Sequence, residues 1–142
     1  MKKILLLLMA FLAISSISAS AQHIFYNVIA RVPYNARTMQ YGKIDPVNMK
    51  IVRIGNQTVY IGPDKYSIKS INTEFKDSVM QYIEYDAVSE TGEEYTIKIA
   101  YDGTATAEVM RHFVLIFKDN DIYNWTYYYT SAGEETENKE SK

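Results

Sequence analysis

Between Gln22 and Thr130 apolar and polar residues alternate in short runs, broken about every ten residues by Gly, Pro, Asn or Asp. A period of two sends successive side chains to opposite faces, so this pattern predicts an antiparallel β meander. Ile24 to Val32 opens it, with Ile24, Tyr26, Val28, Ala30 and Val32 on one face; Pro33, which lacks a ladder donor, ends the strand or marks its edge. A loop to Pro46 follows, with room for a short strand around Met39 to Tyr41. Asn48–Ile54 and Gln57–Ile61 flank Gly55-Asn56, two residues that tolerate positive φ, and form the clearest hairpin of the chain.

Gly62-Pro63-Asp64 supplies the next reversal, into Lys65–Ile71, and a polar stretch from Asn72 to Ser78 reads as a linker. Val79–Val88 places Val79, Ile83, Tyr85 and Ala87 on one face and Met80, Tyr82, Glu84 and Asp86 on the other. A turn centred on Thr91-Gly92 leads to Glu94–Tyr101, whose inward set is Tyr95, Ile97, Ile99 and Tyr101. Thr104–Arg111 accepts a helix or a strand; extended structure is the expectation, and an α+β fold with one short helix there is the alternative. His112–Lys118 has Phe-Val-Leu-Ile-Phe at its centre, a continuous apolar run that predicts burial on both faces. After Asp119-Asn120-Asp121 the last strand, Ile122–Thr130, puts Tyr123, Trp125, Tyr127 and Tyr129 on one face and Tyr128 opposite.

About eight short strands joined by hairpins define an all-β fold, a small barrel or sandwich. Closure removes edges, which strands this apolar require. In general look, a small exported meander with tyrosines at strand ends resembles lipocalin-like modules of bacterial envelopes, without a signature motif that assigns a family.

Residues 1 to 21 change the picture, because they read as a secretory leader. Lys2 and Lys3 form the positive segment, Ile4 to Ile14 is an unbroken apolar run of 11, and Ala19-Ser20-Ala21 is a small-x-small cleavage site. Cleavage between Ala21 and Gln22 releases a soluble product to the periplasm or the outside, with membrane contact only through the leader. A membrane-spanning helix needs roughly 20 apolar residues, and serines interrupt this run from Ser15 on. The chain has no cysteine, which excludes disulfides and lipidation at a first mature cysteine. Three segments result: the leader 1–21, a single β domain 22–130, and an acidic tail 131–142 with four Glu and two Lys, expected to be disordered.

Loss of Lys2 and Lys3 leaves 13 basic against 17 acidic residues, a net charge of −4 that disfavours nucleic acid as a partner. Candidate chemistry is sparse. His23 and His112 are too few for a zinc site, and Asp119-Asn120-Asp121 lacks the glycine and distal Glu of a calcium loop. Glu84 and Asp86 share a face but read as a solvated pair. Asn56-Gln57-Thr58 and Asn124-Trp125-Thr126 match a glycosylation sequon, which is accidental in the bacterium that the terse leader suggests. No nucleophile elbow, phosphate loop or dinucleotide fingerprint occurs, so no enzyme, cofactor or metal is expected.

The unusual residue is tyrosine, 13 in all against one Trp. Its area and single polar handle suit binding surfaces. Tyr123, Trp125, Tyr127 and Tyr129, with Tyr82, are therefore the candidate ligand-binding residues, the competing role of the stripe being core. The expected function is a non-enzymatic binding module for a glycan or apolar small molecule, using this surface or the barrel mouth; the alternative is a protein-interaction or assembly module, such as an adhesin-like subunit or an inhibitor of a secreted enzyme.

Overall fold

A computed structural model describes residues 22–135 of the 142-residue chain. The leader, and the tail from residue 136 on, lie outside the described residues. The chain forms β1 (His23–Asn35), β2 (Gln40–Tyr41), β3 (Asp45–Ile54), β4 (Thr58–Ile61), β5 (Asp64–Lys76), β6 (Met80–Ser89), β7 (Glu94–Asp102), β8 (His112–Lys118), β9 (Asn124–Thr130) and β10 (Glu134–Glu135). Each strand from β3 to β9 pairs antiparallel with the next, as a meander should.

β1 closes the ring. Its first part, His23–Arg31, pairs with β3, and its second, Val28–Asn35, pairs with β9, so one 13-residue strand serves both ends of the meander. The result is a closed antiparallel barrel of eight strands, with β2 and β10 as two additional short strands on β1. Closure turns on a bulge: both registers shift between Val28 and Ala30.

The bulge corrects the expected face of β1. Tyr26 and Val28 point into the barrel core, but beyond Ile29 the chain has slipped by one residue, and Ala30, Val32 and Tyr34 stand opposite Tyr129, Tyr127 and Trp125 on the outer wall. Arg31 opposes Tyr128, which packs on the core. Pro33 does not end the strand; its carbonyl accepts from Gly42 N at 2.7 Å. β5 also runs on through the expected linker to Lys76, because β6 offers it a ladder up to Lys76↔Gln81.

Thr104–Arg111 is neither extended nor an α-helix. It is an irregular connection with a single 3-10 turn over Glu108–Met110. Its start is held by Asp102, whose carboxylate accepts from Thr104 N at 2.9 Å; its end is held by Arg111, whose Nε donates to Ala105 O at 3.1 Å. Those local bonds compete with a strand ladder for the same backbone.

The interior is apolar. Ile51, Val59, Tyr85, Ile97 and Val114 are fully buried at its centre, each aliphatic one contributing roughly 1.5–3 kcal/mol relative to exposure. Lys50, Glu84, Asp86 and Lys98 point outward, opposite core residues on the same strands. A lipid-spanning barrel has the reverse arrangement, apolar outside and polar within. Among the described residues no helix is long and apolar enough to cross a membrane. Of the acidic tail, Glu134 and Glu135 pair with Phe25 and Ile24.

Candidate functional site

One stretch of the outer wall is built unlike the rest. β8 buries both its faces: Val114 and Ile116 turn into the barrel, while Phe113, Leu115 and Phe117 turn out. β9 does the same with Tyr128 inside and Trp125, Tyr127 and Tyr129 outside. The bulge in β1 adds Val32 and Tyr34 to this outer face, and β2 adds Tyr41 beside them.

The rings form a continuous sheet of contacts. Phe117 stacks on Trp125 at 5.8 Å between centroids, Trp125 meets Tyr34 at 5.3 Å, Tyr34 meets Tyr127 edge-on at 5.7 Å, and Tyr127 stacks on Tyr129 at 5.7 Å. Tyr41 packs on Tyr34 at 4.6 Å, and Phe113 on Tyr127 at 5.3 Å. Offset and edge-on pairs of this kind add about 0.5–1.5 kcal/mol each beyond their buried area. Leu115 and Val32, beneath the rings, are only 4% and 3% exposed although they face away from the barrel interior.

A cleft of about 500 Å³ opens between this wall and the connection after β7, lined by Tyr41, Phe113, Tyr127 and Tyr129 on one side and Ala105, Ala107 and Met110 on the other. Its polar groups are largely engaged. Burial holds the Tyr127 and Tyr129 hydroxyls protonated, Tyr129 being pushed up to about 12, and the Tyr41 hydroxyl reinforces both shifts. The Asp102 carboxylate is occupied by the backbone N–H and hydroxyl of Thr104, which hold it below the usual carboxylate range.

The five candidate residues separate into three places. Trp125, Tyr127 and Tyr129 stand together in the wall. Tyr123 is not in the strand but in the turn before it, 42% exposed, with the Arg37 guanidinium 4.6 Å above its ring. The turn runs on to Asn124 because Asp121 accepts from the Asn124 side chain at 2.9 Å and Trp125 Nε1 donates to Ile122 O at 2.8 Å. Tyr82 lies away from the wall, stacked on Phe75 at 5.6 Å at the rim of the barrel mouth that holds Arg53, with the Lys98 ammonium 4.2 Å from its ring. Sequence reasoning missed Tyr34 and Tyr41, hidden in what read as a strand end and a loop, and Phe113 and Phe117, whose signal was the doubly apolar run of β8.

It also missed a polar cluster at one barrel mouth. Arg53 shares the inward face of β3 with Met49 and Ile51, and its Nη1 donates to the Tyr85 hydroxyl at 3.2 Å. That hydroxyl donates in turn to Asn56 Oδ1 at 2.7 Å, which turns this sequon side chain to the barrel. Burial raises Tyr85 and Tyr26 above the ordinary tyrosine value, the Arg53 charge opposing it in both, and burial lowers His112. A charged residue on an otherwise apolar strand face was the available signal.

Fold and surface thus define a closed eight-stranded barrel with an apolar core, an aromatic outer wall and a polar mouth. Compared with protein-family models, curated proteins and solved structures, the chain matches none. Among the described residues no group of three or more His, Asp or Glu side chains is placed to hold a metal ion.

Proposed function

We propose that the protein is an exported, non-enzymatic binding module that takes a small apolar molecule, or the apolar face of a glycan ring, against Tyr41, Phe113, Tyr127 and Tyr129. The observation that carries this reading is the cleft of about 500 Å³ whose floor is aromatic and whose one carboxylate, Asp102, is already taken up by Thr104. That size lies within the usual range for small-molecule sites, and such sites are mostly apolar with few oriented polar groups. Export rests on the leader pattern of residues 1–21, and N-terminal sequencing of the secreted protein should begin at Gln22.

The test is a thermal-shift screen against glycans and apolar small molecules. A ligand at 100 times its Kd stabilises by about 2.7 kcal/mol. Met110→Ala removes one side of the cleft at a position 40% exposed, so the variant should melt like the parent but lose the ligand's shift. If no compound shifts the parent, small-molecule binding at the wall is wrong.

A second reading, a protein-interaction module, has its own support. Met39, Ile44, Val109 and Ile122 are all more than half exposed in the connections around the barrel. Exposed apolar surface of that kind marks protein contacts when it is contiguous. Sedimentation of the protein alone and with culture supernatant separates the two readings, since only the second expects a heavier species.

A further inference from the structure

The mouth that holds Arg53 opens into a cavity of about 460 Å³, lined among others by Tyr26, Arg53, Ile83, Ile99, Tyr101 and His112. Its backbone is tightly closed on one side: a Cβ on Gly133 would come within 2.7 Å of the Tyr26 ring. The Arg53 guanidinium spends Nη1 on Tyr85, while its Nε is buried and has no hydrogen-bond partner among the described residues. Ion pairs among those residues join Arg31 to Asp45, Lys69 to Glu94 and Lys118 to Glu93. Arg53 is in none of them, and Glu74, which lines the same mouth, does not pair with it.

A buried donor left unmade is costly, and a guanidinium presents its donors in a fixed fork that matches a carboxylate. The mouth therefore offers a guanidinium with an unmade donor, and its lining sets an apolar group, Tyr26, Ile83, Ile99 and Tyr101, beside the polar Glu74, Lys76 and Gln81. The geometry points to this mouth as a binding site for a small organic monoanion, a carboxylate on a short apolar body, with the Arg53 guanidinium donating to the head and Ile83, Ile99 and Tyr101 receiving the body. This site is separate from the outer cleft. The two linings share no residue: Tyr101 and His112 line the mouth, whereas their chain neighbours Asp102 and Phe113 line the cleft.

Octanoate and neutral 1-octanol, titrated separately into the full chain and followed by amide NMR, test the assignment. Octanoate should move the amides of Arg53, Ile99, Tyr101 and Gly133 and bind at least about tenfold more tightly than octanol, the order expected of a hydrogen bond to a charged group. Arg53→Met should remove that preference and leave octanol binding unchanged. Arg53→Lys, which keeps the charge without the fork, guards against a folding failure and should fall between parent and Arg53→Met. Equal binding of acid and alcohol, undiminished octanoate binding in the folded Arg53 variants, no octanoate binding, or shifts gathered instead at Tyr41, Phe113 and Tyr127 would each overturn the assignment. Those last shifts support the outer cleft, so the two sites stand or fall independently.

Discussion

Two sides of the same barrel wall face outward under different rules. Along β8, β9 and the second half of β1 the outward residues include Val32, Leu115 and Tyr129, as buried as much of the interior. Along β5 and β6 they include Ser70, Glu84 and Asp86 beside the single ring pair Phe75 and Tyr82, with Ser70 Oγ donating to the Asp86 carboxylate at 3.3 Å. The polar side follows what a small barrel needs, one apolar face per strand. A second apolar face buries nothing extra inside the barrel, so it has to be covered by its own rings, by neighbouring connections, or by a bound molecule. Here the first two cover the centre, and the cleft at Phe113 and Tyr129 marks where cover is incomplete.

The largest expected effect asks whether the aromatic wall is a second core. Ile97→Ala inside the barrel and Leu115→Ala outside it both empty well-covered sites. Each should cost about 3 kcal/mol, within the 2–5 kcal/mol usual for such truncations, as read from urea denaturation. A loss below about 1 kcal/mol at Leu115 alone would show that the wall is surface and the comparison fails.

Next in size is the response to alkali. Burial, first of all, raises Tyr26, Tyr85 and Tyr128 inside and Tyr127 and Tyr129 in the wall above the ordinary value near 10. Above pH 10 the unfolded chain loses these protons while the folded one keeps them, so stability is intact below pH 10 and falls as pH rises towards 12. For Tyr129, at about 12 in the fold, the loss is on the order of 2 kcal/mol. Tyr129→Phe should flatten the stability curve between pH 10 and 12. An unchanged slope would remove Tyr129 from the buried set.

These experiments probe features that the sequence disclosed unevenly. The strands with one polar face were legible because period two survives as long as one face meets water, as in Tyr82–Asp86 of β6. The doubly apolar run of β8 signalled two buried faces. Closure was not legible, since β1 bonds to partners near both ends of the chain, and a bulge at Ile29 carries no local mark that distinguishes it from regular strand. That one slipped residue moves Ala30 and Val32 from the expected inner face to the wall. Arg53 was overlooked because a single charge on a strand face reads as solvated until the opposite strands are in place.

Trp125→Ala should cost about 1–2 kcal/mol, less than a fully buried aromatic, because its ring is only partly covered while its indole N–H fixes the turn at Ile122. Tryptophan fluorescence of the parent, quenched by acrylamide, should show partial access. Full protection would move Trp125 to the core side of the comparison.

The smallest effect belongs to the polar side. Tyr82 and Lys98 face each other across β6 and β7, with the ammonium 4.2 Å from the ring centroid. Both partners are half-buried, and a cation–π contact that stays in reach of water contributes roughly 0.5–1 kcal/mol. A double-mutant cycle with Lys98→Gln and Tyr82→Leu should return a coupling near 0.5 kcal/mol, without changing any ligand response of the aromatic wall. A coupling well above that would mean that Tyr82, Phe75 and Lys98 are packed as tightly as the Trp125–Tyr127 rings, and that the contrast between the two sides is one of composition alone.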